Sequence, residues 1–296
     1  MFDGFSLEIV DLPEASLRVR FGGSGPPLLL LHGHPRTHVT WHRVAPLLAS
    51  SHTVICPDLR GFGRSSLPAD TEDHIGSSKR AKAGDCIALM RHLGFSRFAI
   101  AGHDRGSYTA FRTAMDHPMA ITHLVIMDGV PILEALERCD SRFARLWWHW
   151  FFYALPDKPE RAIMADPDAW YGGSAKAMGV EAYADYKDAI HNPNVVHGMI
   201  EDYRAGMSVD HLHDAADRKA SRRIACPTLV LWSTRDDLPS LYGNVLDVWK
   251  PWTTHLRGKG IESGHHMAEE APEALANAIR EFLETPNPET LVESHI

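Results

Sequence analysis

The sequence predicts an α/β protein, with a mostly parallel central sheet, helices on both faces and an inserted helical cap. Three features carry that expectation. Short apolar runs alternate with helix-like stretches; the alternation stops between residues 133 and 214; and one run enters a glycine-flanked turn from which a helix leaves. Strands alternating with helices imply βαβ units.

Leu28 to Leu31 is a continuous apolar run stopped by His32 and Gly33, too short for a helix and suited to a strand buried on both faces. The same reading fits the runs His52–Cys56, Phe98–Ala101, His123–Met127 and Thr228–Trp232. Helices are expected from Ala83 to Leu93, stopped by Gly94, and from Tyr108 to Asp116, stopped by Pro118. After Pro131 no strand run appears, while aromatic residues accumulate, as in Leu146 to Tyr153. A stretch that long is not a loop, so residues 133–214 are expected to form the cap, and 1–132 with 215–296 the core. Pro272 to Leu283 reads as a closing helix, and the tail from Thr285 onward as frayed.

The 296 residues are 44% hydrophobic and 23% charged, ordinary globular usage that argues against disorder or low complexity. A formal charge of −8 argues against nucleic acid as a partner. It also means that an anionic ligand has to be held by a few local cations. The four cysteines lack CxxC or metal-ligand spacing, which reads as free thiols in a reducing compartment. No basic n-region opens the chain and no apolar run approaches a bilayer span. A soluble, cytoplasmic protein with no membrane partner is expected.

Phe98 to Ala101 leads into Gly102-His-Asp-Arg-Gly106, the strand–turn–helix context of a nucleophile elbow. Serine is usual at its centre, and here Asp104 takes that place. Alone, an aspartate at a tight turn reads as a helix cap; the paired glycines and the partners below favour the elbow. A carboxylate with a reference pKa of about 3.9 is ionised at neutral pH. Its attack on a saturated carbon gives an ester that water can cleave, whereas serine would give an inert ether. Asp104 therefore points to displacement at an sp³ carbon followed by ester hydrolysis.

Glu262-Ser-Gly-His265 lies late in the chain, where this constellation places its general base, and His265 is preferred to His266. Two aspartates compete to orient it: Asp128, after the run ending at Met127, and Asp236, after the run ending at Trp232. Amides of His34, in Leu31-His-Gly-His-Pro35, and of Arg105 are expected to form an oxyanion hole.

These segments together resemble the haloacetate dehalogenases of the α/β-hydrolase fold. The similarity runs through most of the chain, including His32 to Pro46, Asp58 to Ser65, Gly102 to Gly106, His149-Trp150, Glu201 to Gly206 and Glu262 to His265. It implies hydrolysis of a 2-haloacid to the 2-hydroxyacid and halide, with water as co-substrate, no metal or other cofactor, and a homodimer. By the same resemblance Asp104 is the nucleophile, His265 the base and Asp128 its acid. His149, Trp150 and Tyr203 match donors to the departing halide, and Arg105 matches an arginine that grips the substrate carboxylate. The chain departs from the family at substrate-binding positions: Tyr108 replaces a second arginine, and His34 an aromatic residue. Asp236 and Asp237 also stand where the dehalogenases usually have no acid.

Two further classes share parts of this pattern. An epoxide hydrolase uses the same aspartyl ester with cap tyrosines as proton donors, and Tyr153, Tyr171, Tyr183, Tyr186 and Tyr203 are available. A silent small-ligand receptor would keep the fold without turnover.

Overall fold

The computed structural model describes residues 1–284, so the expected frayed tail from Thr285 lies outside the described residues. Eight strands form one sheet: β1 (Phe5–Asp11), β2 (Ser16–Gly23), β3 (Pro27–Leu31), β4 (Thr53–Pro57), β5 (Phe98–His103), β6 (Ile121–Met127), β7 (Thr228–Ser233) and β8 (Leu256–Ile261). Their order is β1-β2-β4-β3-β5-β6-β7-β8. From β4 across to β8 the pairing is parallel, while β2 runs antiparallel to both β1 and β4.

The five apolar runs become β3 to β7. Leu28 to Leu31 and Leu124 to Met127 are fully buried, as expected of strands covered on both faces. β1, β2 and β8 escaped the sequence reading. β1 is an edge strand whose Leu7 and Ile9 face solvent, and β8, the other edge, alternates glycine with Arg257 and Lys259. Neither edge shows the continuous apolar run that marks a central strand.

Helices cover the sheet, among them Lys79–His92, Arg105–Asp116 and Pro272–Leu283. Between β6 and β7 the chain forms helices and no strand, including Trp148–Tyr153, Pro193–Ala205, a π-helical turn at Gly206–Asp210, and His211–Lys219. The amide of Leu133 donates to Asp214 Oδ2 at 3.3 Å, joining the start of this excursion to its end. Arg112, buried on the helix that follows β5, bonds Asp214 at 2.6 Å and Asp217 at 2.5 Å. A guanidinium paired this way satisfies its own burial and fixes the returning helix.

The parallel strands end on one edge of the sheet. The loops after β3, β5, β6, β7 and β8 carry His34, Asp104, Asp128, Asp236 and His265 respectively. Ligands of such sheets bind at this carboxyl edge. No described helix is long and apolar enough to cross a membrane.

Candidate active site

Asp104 sits between β5 and the helix Arg105–Asp116 with φ +49° and ψ −118°, a conformation that non-glycine residues adopt only under strong constraint. The constraint is the close approach of the turn to its neighbours. A Cβ on Gly102 would lie 2.1 Å from the Gly106 carbonyl oxygen, and one on Gly106 would lie 2.4 Å from that of Leu31. Only glycine at both places lets the helix start nest against β3 and β5. The Asp104 amide donates to Met127 O at 3.0 Å, and the His34 amide donates to Asp104 Oδ1 at 2.7 Å. The expected His34 donor thus points at the Asp104 carboxylate. Burial raises the Asp104 pKa, but the charges of His265 and Arg105 outweigh it and hold the group below its usual value, so it is ionised.

His265 Nδ1 lies 2.8 Å from Asp236 Oδ2. Asp128, the acid the resemblance implies, stands 3.7 Å from the same nitrogen and makes no hydrogen bond to it. The reason is local. Asp128 Oδ1 accepts from the Ser233 amide at 2.7 Å, and Oδ2 from its hydroxyl at 2.5 Å. That hydroxyl is shared with the Gly264 carbonyl at 2.7 Å, so Asp128 anchors the loop carrying His265 and Asp236 bonds the imidazole itself. Burial depresses His265, but the Asp236 hydrogen bond and the charges of Asp104 and Asp128 raise it to about 10. His266 lies on the cavity wall, and burial pushes it well below its ordinary value.

Asp104 and His265 face a cavity of about 230 Å³ whose wall includes His34, Tyr108, His149, Trp150 and Tyr203. Of the last three, His149 and Trp150 come from Trp148–Tyr153 and Tyr203 from Pro193–Ala205, about fifty positions away. The His149 and Tyr203 ring centroids are 5.6 Å apart, and those of Trp150 and Tyr203 are 6.2 Å apart. Burial holds His149 down at about 4, so it is neutral. Arg105 is set one layer back from the wall. Its guanidinium lies 4.0 Å from the Tyr203 ring centre, 5.0 Å from Tyr108 and 5.3 Å from Trp150. Nε donates to Asp202 Oδ2 and Nη2 to the Asp202 carbonyl at 3.0 Å, whereas Nη1 is buried without a partner.

Several site residues were not singled out from sequence. Asp202 is buried and also bonds Lys79 Nζ at 2.8 Å and Lys82 Nζ at 2.5 Å; it sits beside Tyr203 in a segment that carried the resemblance. Asp237 lines the cavity, accepts from the Trp147 indole, and is raised to about 6 by burial and Asp236. His103, next to Asp104, bonds the His265 carbonyl at 2.7 Å. Ser233 and Trp147 carried no sequence signal, and Asp237 was noted only as an acid beside Asp236, because their contacts exist only across the folded chain. Among the described residues, His103, Asp128 and His265 bring potential metal-ligand atoms within 4.8 Å of one another. Those atoms already serve the hydrogen bonds to His265 O, Ser233 and Asp236.

A carboxylate on an elbow, an imidazole held by a second carboxylate and a sheet edge that collects both are the arrangement of a hydrolase. Residues 26–272 match the alpha/beta hydrolase fold family, and the chain belongs to it. A fluoroacetate dehalogenase from Burkholderia sp is 40% identical over 96% of this chain and 95% of its own length. A soluble epoxide hydrolase from Corynebacterium sp. is 30% identical over 88% of this chain and 91% of its own. A solved α/β-hydrolase structure from Nostoc sp superposes with a TM-score of 0.93 at 40% identity, covering 97% of this chain and all of that one.

Proposed function

We infer that this enzyme is a hydrolytic dehalogenase that converts a small 2-haloacid to the 2-hydroxyacid and halide. The observation that carries the reading is an ionised aspartate at the elbow facing His149, Trp150 and Tyr203 across one small cavity. Its relation to the fluoroacetate dehalogenase supports the same chemistry. In the first step Asp104 Oδ attacks the halogen-bearing carbon. The new C–O bond forms as the carbon–halogen bond breaks, and the halide leaves with the electron pair toward the three donors. In the second, the His265 imidazolium first gives its proton to solvent; water then attacks the Asp104 ester carbonyl, His265 takes one water proton, the other ends on the oxygen of the departing hydroxyacid, and the Asp104 carboxylate is restored.

The charges time these steps. With Asp104 ionised, His265 is held protonated and is no base. Esterification removes the Asp104 charge, one of the groups that raise His265, so the imidazole becomes able to accept a proton only once there is an ester to cleave. Asp236 orients the imidazole, Asp128 supports its loop, Tyr108 and His34 line the substrate end, and Arg105, one layer behind Tyr108 and Tyr203, supplies the positive charge that favours a carboxylate there. Residues 133–214 act as the cap over this cavity. A second copy of the chain as partner and a cytoplasmic location complete the reading, the former checked by light scattering.

Halide release from fluoro-, chloro- and bromoacetate tests the function; release from none of them refutes it. Tyr203 on the wall and the epoxide hydrolase relative favour one second reading, in which Tyr203 protonates an opening epoxide. Turnover of styrene oxide without activity on any haloacid would establish it.

A further inference from the structure

His34 departs from the resemblance in a way that bears on substrate choice. Both of its ring nitrogens are buried and neither has a hydrogen-bond partner, although the residue lines the reaction cavity. The ring is packed edge-on by Tyr153, Tyr171 and Tyr203, with centroids 5.7, 5.2 and 5.3 Å away, and its amide is tied to Asp104. It is therefore held beside the carbon that Asp104 attacks. Burial keeps it neutral, down at about 3. A neutral imidazole offers one N–H and one lone pair, and here no protein group selects which nitrogen carries the proton. A carboxylate or halide can pair only with the N–H. A hydroxyl, having both a proton and lone pairs, pairs with either tautomer. His266 Nδ1, on the same wall, is likewise buried and unpartnered. The cavity of about 230 Å³ also exceeds roughly five water-sized groups at about 30 Å³ each, more than a monohaloacetate fills.

We propose that His34 is a specificity-determining residue that selects 2-haloacids carrying a hydroxyl on the carbon next to the one attacked. The proposal rests on the dehalogenase reading above. Chloride release from 2-chloro-3-hydroxypropanoate and from 2-chlorobutanoate, which differ by hydroxyl against methyl, tests it on the full chain. Wild type is expected to favour the hydroxylated acid about tenfold in kcat/KM, the scale of one neutral hydrogen bond. In His34→Phe, which keeps the edge-on packing, the ratio falls to one or below; His34→Gln, which keeps a donor and an acceptor, retains part of it. A wild-type ratio of one or less, or a ratio unchanged in His34→Phe, overturns the proposal. Calorimetric binding of the two hydroxyacid products, 2,3-dihydroxypropanoate and 2-hydroxybutanoate, reads the same preference without turnover. Absence of chloride release from both acids by an enzyme that releases chloride from chloroacetate overturns the proposal, whereas no release from chloroacetate either counts against the dehalogenase reading. Equal product affinities in wild type count against His34.

Discussion

His265 Nδ1 lies 2.8 Å from Asp236 and 3.7 Å from Asp128, so two carboxylates from adjacent strand ends surround one imidazole and only one bonds it. Asp236 holds the imidazole, while Asp128 is engaged by the amide and hydroxyl of Ser233. Asp236→Asn should slow ester hydrolysis by about 10²–10⁴-fold, toward the loss seen when a triad aspartate becomes an amide. Asp128→Asn should act on the loop through Ser233 and lower the melting temperature more than Asp236→Asn does. Single-turnover kinetics and thermal denaturation of both variants separate the roles. A larger hydrolytic defect in Asp128→Asn would reverse the assignment.

Asp104→Asn should abolish halide release, since an amide is a poor nucleophile. It should also lower the His265 pKa from about 10, because it deletes one of the charges that raise it. The sign follows directly: less negative charge favours the neutral imidazole. An NMR titration of His265 in wild type and variant reads the shift, and an unchanged value would break the link between esterification and base activation.

The central strands and the elbow were legible in sequence because each is local: an apolar run of four or five residues, or two glycines around one aspartate. The edges were not, since β1 and β8 lack a continuous buried run. The contest between Asp128 and Asp236 was visible, but its outcome depends on Ser233, whose hydroxyl and amide occupy Asp128 only in the folded chain. Arg105 was found as a cation near the site. Its retreat behind Tyr108, Trp150 and Tyr203 is set by Asp202, almost a hundred positions away.

That retreat depends on one buried carboxylate serving three cations. Asp202→Asn leaves Arg105, Lys79 and Lys82 without it and should cost about 3–5 kcal/mol. Burial already draws Lys82 down to about 8, and loss of Asp202 lowers it further. A lysine whose pKa is depressed by folding loses stability as pH falls below its unfolded value and regains it as pH rises. The variant's deficit should therefore be larger at pH 7 than at pH 9. Urea denaturation at the two pH values measures it; equal deficits would mean that the lysines do not feel Asp202.

His265→Asn should form the Asp104 ester and stop there, because attack at carbon needs no base whereas water activation does. Intact-mass spectra after mixing with bromoacetate should show the covalent adduct persisting while wild type shows none at steady state. Absence of the adduct in a folded variant that still binds the acid would remove the two-step scheme.

The leaving halide distinguishes the aromatic wall as chemistry from the same wall as packing. Fluoride leaves from the strongest carbon–halogen bond and depends most on donors aimed at the charge it develops, while bromide needs them least. Removing one well-aimed donor costs about 10²–10³-fold where charge develops fully. Tyr203→Phe keeps the ring against Arg105 and loses only the hydroxyl, so its effect reports the donor rather than the packing. Its turnover of fluoroacetate should fall about a hundredfold and that of bromoacetate less than tenfold. Trp150→Phe should show the same order of sensitivity. Equal losses for both halides, measured by halide release at saturating substrate, would assign these rings to packing and leave the departing ion to other groups.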